Sequence, residues 1–161
     1  MLPFQKTDRE VEGEAEVAVI DKQIKNVMVL VVEDISLNKL LIKTLLDDFG
    51  FECDIVSNGK EAIEKLRYKR FDMILMDLQM PIMNGFEATD YIRNTLKLTI
   101  PIIALTADVT TVDLDKCKAV GMNDYVSKPI NEKILFSKVV ALLQKGAGDM
   151  KNKTTQNSAI L

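Results

Sequence analysis

Phe71-Asp72-Met73-Ile74-Leu75-Met76-Asp77-Leu78-Gln79-Met80-Pro81-Ile82-Met83-Asn84-Gly85 is the most informative stretch of this chain. An apolar run ends in one carboxylate and passes at once into Pro and Gly punctuation. Such a run reads as a strand buried on both faces. It delivers Asp77 to its carboxyl end, where open α/β sheets place their chemistry. Alone, Asp77 could equally form an Asx-turn after the strand. Its meaning depends on the residues that meet it.

Similar runs lie on either side. Val27–Val32, Glu52–Val56, Asp72–Met76, Pro101–Leu105 and Asn123–Val126 are short, aliphatic or β-branched, and predict strands. Between them run helical stripes: Leu37, Leu41 and Leu45; Ala62, Ile63 and Leu66; Phe86, Thr89 and Ile92; and Ile134, Leu135, Val139, Leu142 and Leu143. Ser36 and Asn58 stand where N-caps are expected. Asp108–Val120 is the least regular segment, with Val109, Val112, Leu114 and Cys117 scattered around it, and predicts a weakly anchored helix. Five strands alternating with five helices, strand first, predict a small doubly wound α/β sandwich without internal repeats. The folded domain is expected over 27–145. Residues 1–26, acidic from Asp8 to Glu16, read as a linker, and 146–161 as a flexible tail.

Composition narrows the function classes. The chain has 161 residues, 47% of them hydrophobic, enough for one domain with its own core. A net charge of −3 leaves no basic footprint, so no nucleic-acid binding is expected. No apolar run approaches ~18 residues, so no membrane span is expected, nor is there a signal-peptide pattern. Cys53 and Cys117 read as free thiols in a reducing cytoplasm. The chain contains no histidine. It therefore cannot carry a phosphohistidine, a histidine base or a histidine-ligated metal.

The strand ends carry the chemistry. The first strand ends in Glu33-Asp34, the third in Asp77, the fourth in Thr106, and the fifth leads into Ser127-Lys128-Pro129. In a parallel sheet these ends share one edge. Each residue has a plainer reading: helix-start electrostatics for Glu33-Asp34, a cap for Thr106, a solvated loop lysine in Lys128. Four such coincidences at four strand ends are improbable together. Carboxylates ~4 Å apart repel by about 1–4 kcal/mol, so the cluster requires cations. Lys128 supplies one, and an all-oxygen set favours Mg²⁺, or Mn²⁺, as the second. An exposed carboxylate beside a metal, a hydroxyl and an ammonium suits phosphoryl transfer.

Val31-Val32-Glu33-Asp34, Met76-Asp77-Leu78-Gln79-Met80-Pro81, Ala104-Leu105-Thr106-Ala107 and Asp124-Tyr125-Val126-Ser127-Lys128-Pro129 resemble, in order, the motifs of response regulator receiver domains. The resemblance spans roughly 26–145. It implies a flavodoxin-like (CheY-like) five-stranded parallel sheet of order 2-1-3-4-5. It also implies Asp77 as phosphoacceptor and Mg²⁺ held by Glu33, Asp34, Asp77 and the Gln79 main-chain carbonyl. Thr106 and Lys128 would bind phosphoryl oxygens, and Thr106 and Tyr125 would switch the α4-β5-α5 surface. Gln79 and Asp108 would line the entrance for attacking water and set the phosphate lifetime. A cis Lys128-Pro129 bond is implied as well.

The stretch Met76–Thr89 most resembles receivers of hybrid sensor histidine kinases, and Leu2-Pro3-Phe4 resembles the end of their ATP-binding domain. The expected donor is then a histidine on the same polypeptide or a partner, and the expected next acceptor a histidine phosphotransfer domain. The expected location is cytoplasmic, with tethering to the inner membrane through the parent kinase. The alternative is a stand-alone regulator, since no output segment is expected after the last helix. An aspartate-nucleophile phosphatase of the haloacid dehalogenase type would carry a second acid at position 79, which is Gln. A nucleotide-binding module would carry a Gly-rich loop, and 32–38 has no glycine. The isolated chain is expected to be a phosphoacceptor rather than a turnover enzyme.

Overall fold

The computed structural model describes residues 26–108 and 110–145. The expected linker (but for Asn26) and the expected tail lie outside them. The elements are β1 (Met28–Val32), α1 (Ser36–Phe49), β2 (Glu52–Val56), α2 (Gly59–Tyr68), β3 (Met73–Asp77), α3 (Gly85–Asn94), β4 (Ile102–Thr106), α4 (Thr111–Val120) and β5 (Asp124–Ser127). A last helix, α5, has its described residues at 132–145. All strand pairs are parallel, in the order β2-β1-β3-β4-β5. This is the expected topology.

Strand alternation splits the core in two. Val29, Val31, Met73, Leu75, Ile103, Leu105 and Val126 face one way, onto Ile42 and Leu46 of α1 and Leu135 and Val139 of α5. Leu30, Val32, Ile74, Met76, Ile102 and Ala104 face the other, onto α2, α3 and α4. Every residue of β3 and β4 is buried, so the strands that end at Asp77 and Thr106 are the most firmly held.

Two helical expectations are corrected. In α1 the buried residues are Ile42, Leu45 and Leu46, while Leu37 is 74% exposed and Leu41 42%. A stripe taken every fourth residue drifts around a helix with ~3.6 residues per turn, and only its last member, Leu45, reaches the core. Ile134 of α5 is likewise exposed. Ser36 does not cap α1: it is the first helical residue, and Ile35 occupies the cap with no side-chain bond. The Glu33 carboxylate accepts from the Ile35 N–H instead (3.1 Å). Asn58 caps α2 as expected, accepting from Glu61 N–H. Asn84 caps α3 in a reciprocal capping box with Glu87. In α4, Cys117 is the one buried side chain among those described, which accords with the scattered apolar pattern. Both cysteines are free, Cys117 buried and Cys53 half-buried, and burial pushes both thiols up.

Arg93 ties α3 to the β4 and β5 side of the sheet. Its guanidinium donates to the carbonyls of Gly121 (3.0 Å) and Leu98 (2.8 Å) and to Asn123 Oδ1 (3.0 Å). Asn123 Oδ1 also accepts from Ile102 N–H at the start of β4 (2.9 Å). Arg93→Met keeps most of the stem but leaves these acceptors unpaired, and is expected to cost about 2–3 kcal/mol. A lowered urea midpoint with an unchanged slope checks this.

Candidate functional site

The ladder register assembles the site. Asp77 pairs with Leu105, and Thr106 with Ser127. Beyond the strands, Leu78 N–H donates to the Leu105 carbonyl (3.2 Å) and Lys128 N–H to the Thr106 carbonyl (2.7 Å). Glu33 N–H donates to Val56 O (3.0 Å), fixing the turn after β1. Asp77, Thr106 and Lys128 therefore stand at the ends of three adjacent strands, as expected. They line one cavity of about 240 Å³ together with Gln79 and Asp108. The Lys128-Pro129 bond is cis, also as expected.

The charges are concentrated and poorly solvated. Glu33 is fully buried and Asp77 nearly so. Lys128 Nζ lies 2.9 Å from Glu33 Oε2 and 3.3 Å from Asp77 Oδ2. Burial and then the Glu33 charge push the Asp77 carboxyl up to about 6, against the opposing pull of Lys128. For Glu33, burial also acts upward, but the Lys128 hydrogen bond, the Ile35 N–H and the Lys128 charge outweigh it and hold that carboxyl below its usual value. Burial lowers Lys128, and its two carboxylate partners more than compensate. With all groups ionised, three carboxylates and one ammonium leave an excess of two negative charges.

The residues fit a divalent cation. Carboxylate oxygens of Glu33, Asp34 and Asp77 lie within 4.8 Å of one another. Asp34 Oδ1 is buried without a hydrogen-bond partner, and a buried acceptor left unpaired is costly. A divalent ion would cancel the excess charge and satisfy that atom, and hard oxygen donors suit Mg²⁺.

The remaining residues occupy distinct places. The Asx-type contact read as the plain alternative for Asp77 exists beside the cluster: Gln79 N–H donates to Asp77 Oδ1 at 3.3 Å. Thr106 Oγ donates to the Asp108 carbonyl (2.7 Å) and accepts from its N–H (3.2 Å), so the hydroxyl is engaged with the loop after β4. Tyr125 does not line this cavity but a second one, with Leu114, Cys117 and Met122. Sequence reasoning missed Ile35, Asn38, Phe86 and Asp113, which also line the first cavity. Asn38 lies in the first turn of α1, close in the chain to Glu33-Asp34, and that nearness could have indicated it. Asp113 carries no comparable signal: it sits in the first turn of α4, and the placement of that helix brings it there.

Comparison with known proteins agrees with this geometry. Residues 29–156 match the response regulator receiver domain family. Hybrid signal transduction histidine kinase I of Dictyostelium discoideum is 41% identical over 137 residues, covering 80% of this chain and 8% of that protein. The chain spans 4% to 8% of the three Dictyostelium hybrid kinases it matches. Among solved structures, it is similar to the receiver domain of a Pseudomonas aeruginosa sensor histidine kinase with a magnesium ion in its active-site cleft. The TM-score is 0.68 at 33% identity, covering 74% of this chain and 98% of that one. It is also similar to a co-crystal of the Saccharomyces cerevisiae histidine phosphotransfer protein Ypd1 with the receiver of Ssk1. There the TM-score is 0.67 at 31% identity, covering 71% and 87%. The motifs, the sheet order, the acidic cluster with its lysine and these likenesses converge: this chain belongs to the response regulator receiver domain family.

Proposed function

We propose that Asp77 accepts a phosphoryl group from a phosphohistidine and that the chain works as the receiver segment of a hybrid sensor histidine kinase. The observation that carries the site assignment is the Lys128 ammonium held between Glu33 and Asp77 at the mouth shared with Thr106. The Asp77 carboxylate attacks phosphorus as the phosphorus–nitrogen bond breaks, and the histidine nitrogen keeps the bonding pair. Lys128 and the Thr106 hydroxyl bind the equatorial oxygens, and Thr106 must leave the Asp108 carbonyl to do so. Glu33, Asp34, Asp77 and the Gln79 carbonyl would hold Mg²⁺, which would supply positive charge against the carboxylates and the phosphoryl group. Gln79 and Asp108 flank the entrance and tune hydrolysis, and Tyr125 follows Thr106 as the switch aromatic. The chain acts as a switch rather than a turnover catalyst, in the cytoplasm. Incubation with acetyl phosphate and Mg²⁺, followed by intact mass measurement, is expected to add one HPO₃ group that Asp77→Asn lacks. A folded, metal-supplied wild-type chain that gains nothing would sink the reading.

The docking surface for the relay partner is the exposed apolar face of α1. Ile35 lines the cavity mouth, and Leu37, Leu40 and Leu41 continue away from it at helical spacing, all exposed. A histidine that exchanges the phosphoryl group with Asp77 must ride on a surface that meets this face. We assign the face to a histidine phosphotransfer domain, the next acceptor in the relay, with which exchange runs in either direction. Leu37→Asp with Leu40→Asp is expected to slow transfer from phosphorylated Ypd1 at least tenfold, with acetyl phosphate labelling unchanged. Equal loss with both donors would mean damage to the site instead.

A further inference from the structure

We propose that Lys138 is a positioning residue for the switch: its ammonium holds the Tyr125 ring at the edge of β5, and phosphorylation must draw the ring off it. The inference rests on the reading of Tyr125 as the switch aromatic. Lys138 lies on α5, and its Nζ sits 4.2 Å from the centroid of the Tyr125 ring. The same ammonium donates to Asp124 Oδ1 (3.1 Å) and to the Tyr125 carbonyl. Asp124 Oδ1 in turn accepts from Tyr125 N–H (2.8 Å). The cation is thus pinned by the Asp124 carboxylate and the Tyr125 carbonyl, so its place over the Tyr125 ring is not a chance rotamer.

The sheet provides the place to which the ring moves. Tyr125 pairs with Ala104 of β4, and Ala104 and Thr106 share a face because side chains alternate along a strand. Ala104 has only a methyl group there, so a path over it leads from Tyr125 toward Thr106. A cavity of about 410 Å³, lined by Leu114, Cys117, Met122 and Tyr125 itself, lies alongside between α4 and β5. Travel that way takes the ring from the ammonium and forfeits the cation–π contact. By linkage, whatever favours the outward ring weakens binding at Asp77 by up to the same factor.

Lys138→Met keeps an unbranched stem and removes the charge. A partly desolvated cation–π contact makes the expected effect about three- to tenfold. The test uses protein labelled with fluorotyrosine, which has three signals, for Tyr68, Tyr91 and Tyr125, with Tyr125→Phe assigning the third. In the wild type, beryllofluoride with Mg²⁺, a mimic of aspartyl phosphate, is expected to move the Tyr125 signal. In Lys138→Met that signal is already displaced part of the way, and beryllofluoride titrates at about three- to tenfold lower concentration. Lys138→Arg restores wild-type behaviour. A Lys138→Met chain with wild-type signal and titration overturns the role of Lys138 alone. A wild-type Tyr125 signal that ignores beryllofluoride overturns the switch reading and this inference with it. Should Lys138→Met lose its cooperative melt, Asp124→Asn loosens the same ammonium, and the same two readings decide.

Discussion

Replacing Asp77 by asparagine is expected to stabilise the metal-free protein above pH 6 while abolishing phosphoryl labelling. The folded carboxyl is raised from 3.8 to about 6 by burial and by Glu33, so the fold holds this proton more tightly than the unfolded chain does. The resulting stability is fully present below about 3.8 and is lost as the pH rises through about 6. Above that, ionised Asp77 costs up to about 3 kcal/mol. Asparagine has no proton to lose, so its advantage grows over this window and is small in acid. Glu33, held below its usual value, contributes in the opposite sense. Melts from pH 4 to 8 in EDTA check the crossing, and parallel curves would refute it. Added Mg²⁺ is expected to stabilise the wild type and to narrow the gap, because the ion relieves the repulsion that the substitution removes.

Gly85→Ala is expected to damage both fold and site. A Cβ there would stand 2.3 Å from the Asp77 carbonyl oxygen and 3.0 Å from Leu78 Cα. Both are backbone at the end of a fully buried strand, so neither can step aside as a flexible side chain would. The start of α3 must move outward, straining the Gly85 N–H to Leu78 carbonyl bond (3.1 Å) and the turn that aims Asp77. The expected cost is about 3 kcal/mol, the upper end for overpacking, with a matching loss of acetyl phosphate labelling. Gly50→Ala is the control. Its φ is +83° with nothing within 4 Å, so it carries only the left-handed penalty of about 1–2 kcal/mol and leaves labelling intact. Equal effects at the two glycines would show that the clash at position 85 is relieved elsewhere.

Much of the site was legible because strand ends are local features. Apolar runs stopped by Glu33, Asp77 and Thr106 mark where each strand leaves the sheet, and parallel pairing brings those ends to one edge. The α1 stripe was misread for an equally physical reason. Leu37, Leu40, Leu41 and Leu45 are all apolar, and nothing local distinguishes a core-facing leucine from one exposed near the cavity mouth. Asp113 escaped notice because only the placement of α4 against the sheet edge carries it to the cavity.

Sequence by itself determined the α/β alternation, the residues at the strand ends and the absence of histidine from the chain, since these follow from period, punctuation and composition. Tertiary structure decided what depends on distance. It seated Lys128 between Glu33 and Asp77, raised one carboxyl while lowering its neighbour, and left the Asp34 oxygen unpaired. It also placed Lys138 over Tyr125 from an element thirteen residues away. Such outcomes depend on burial and on the approach of separate elements, which no local pattern encodes.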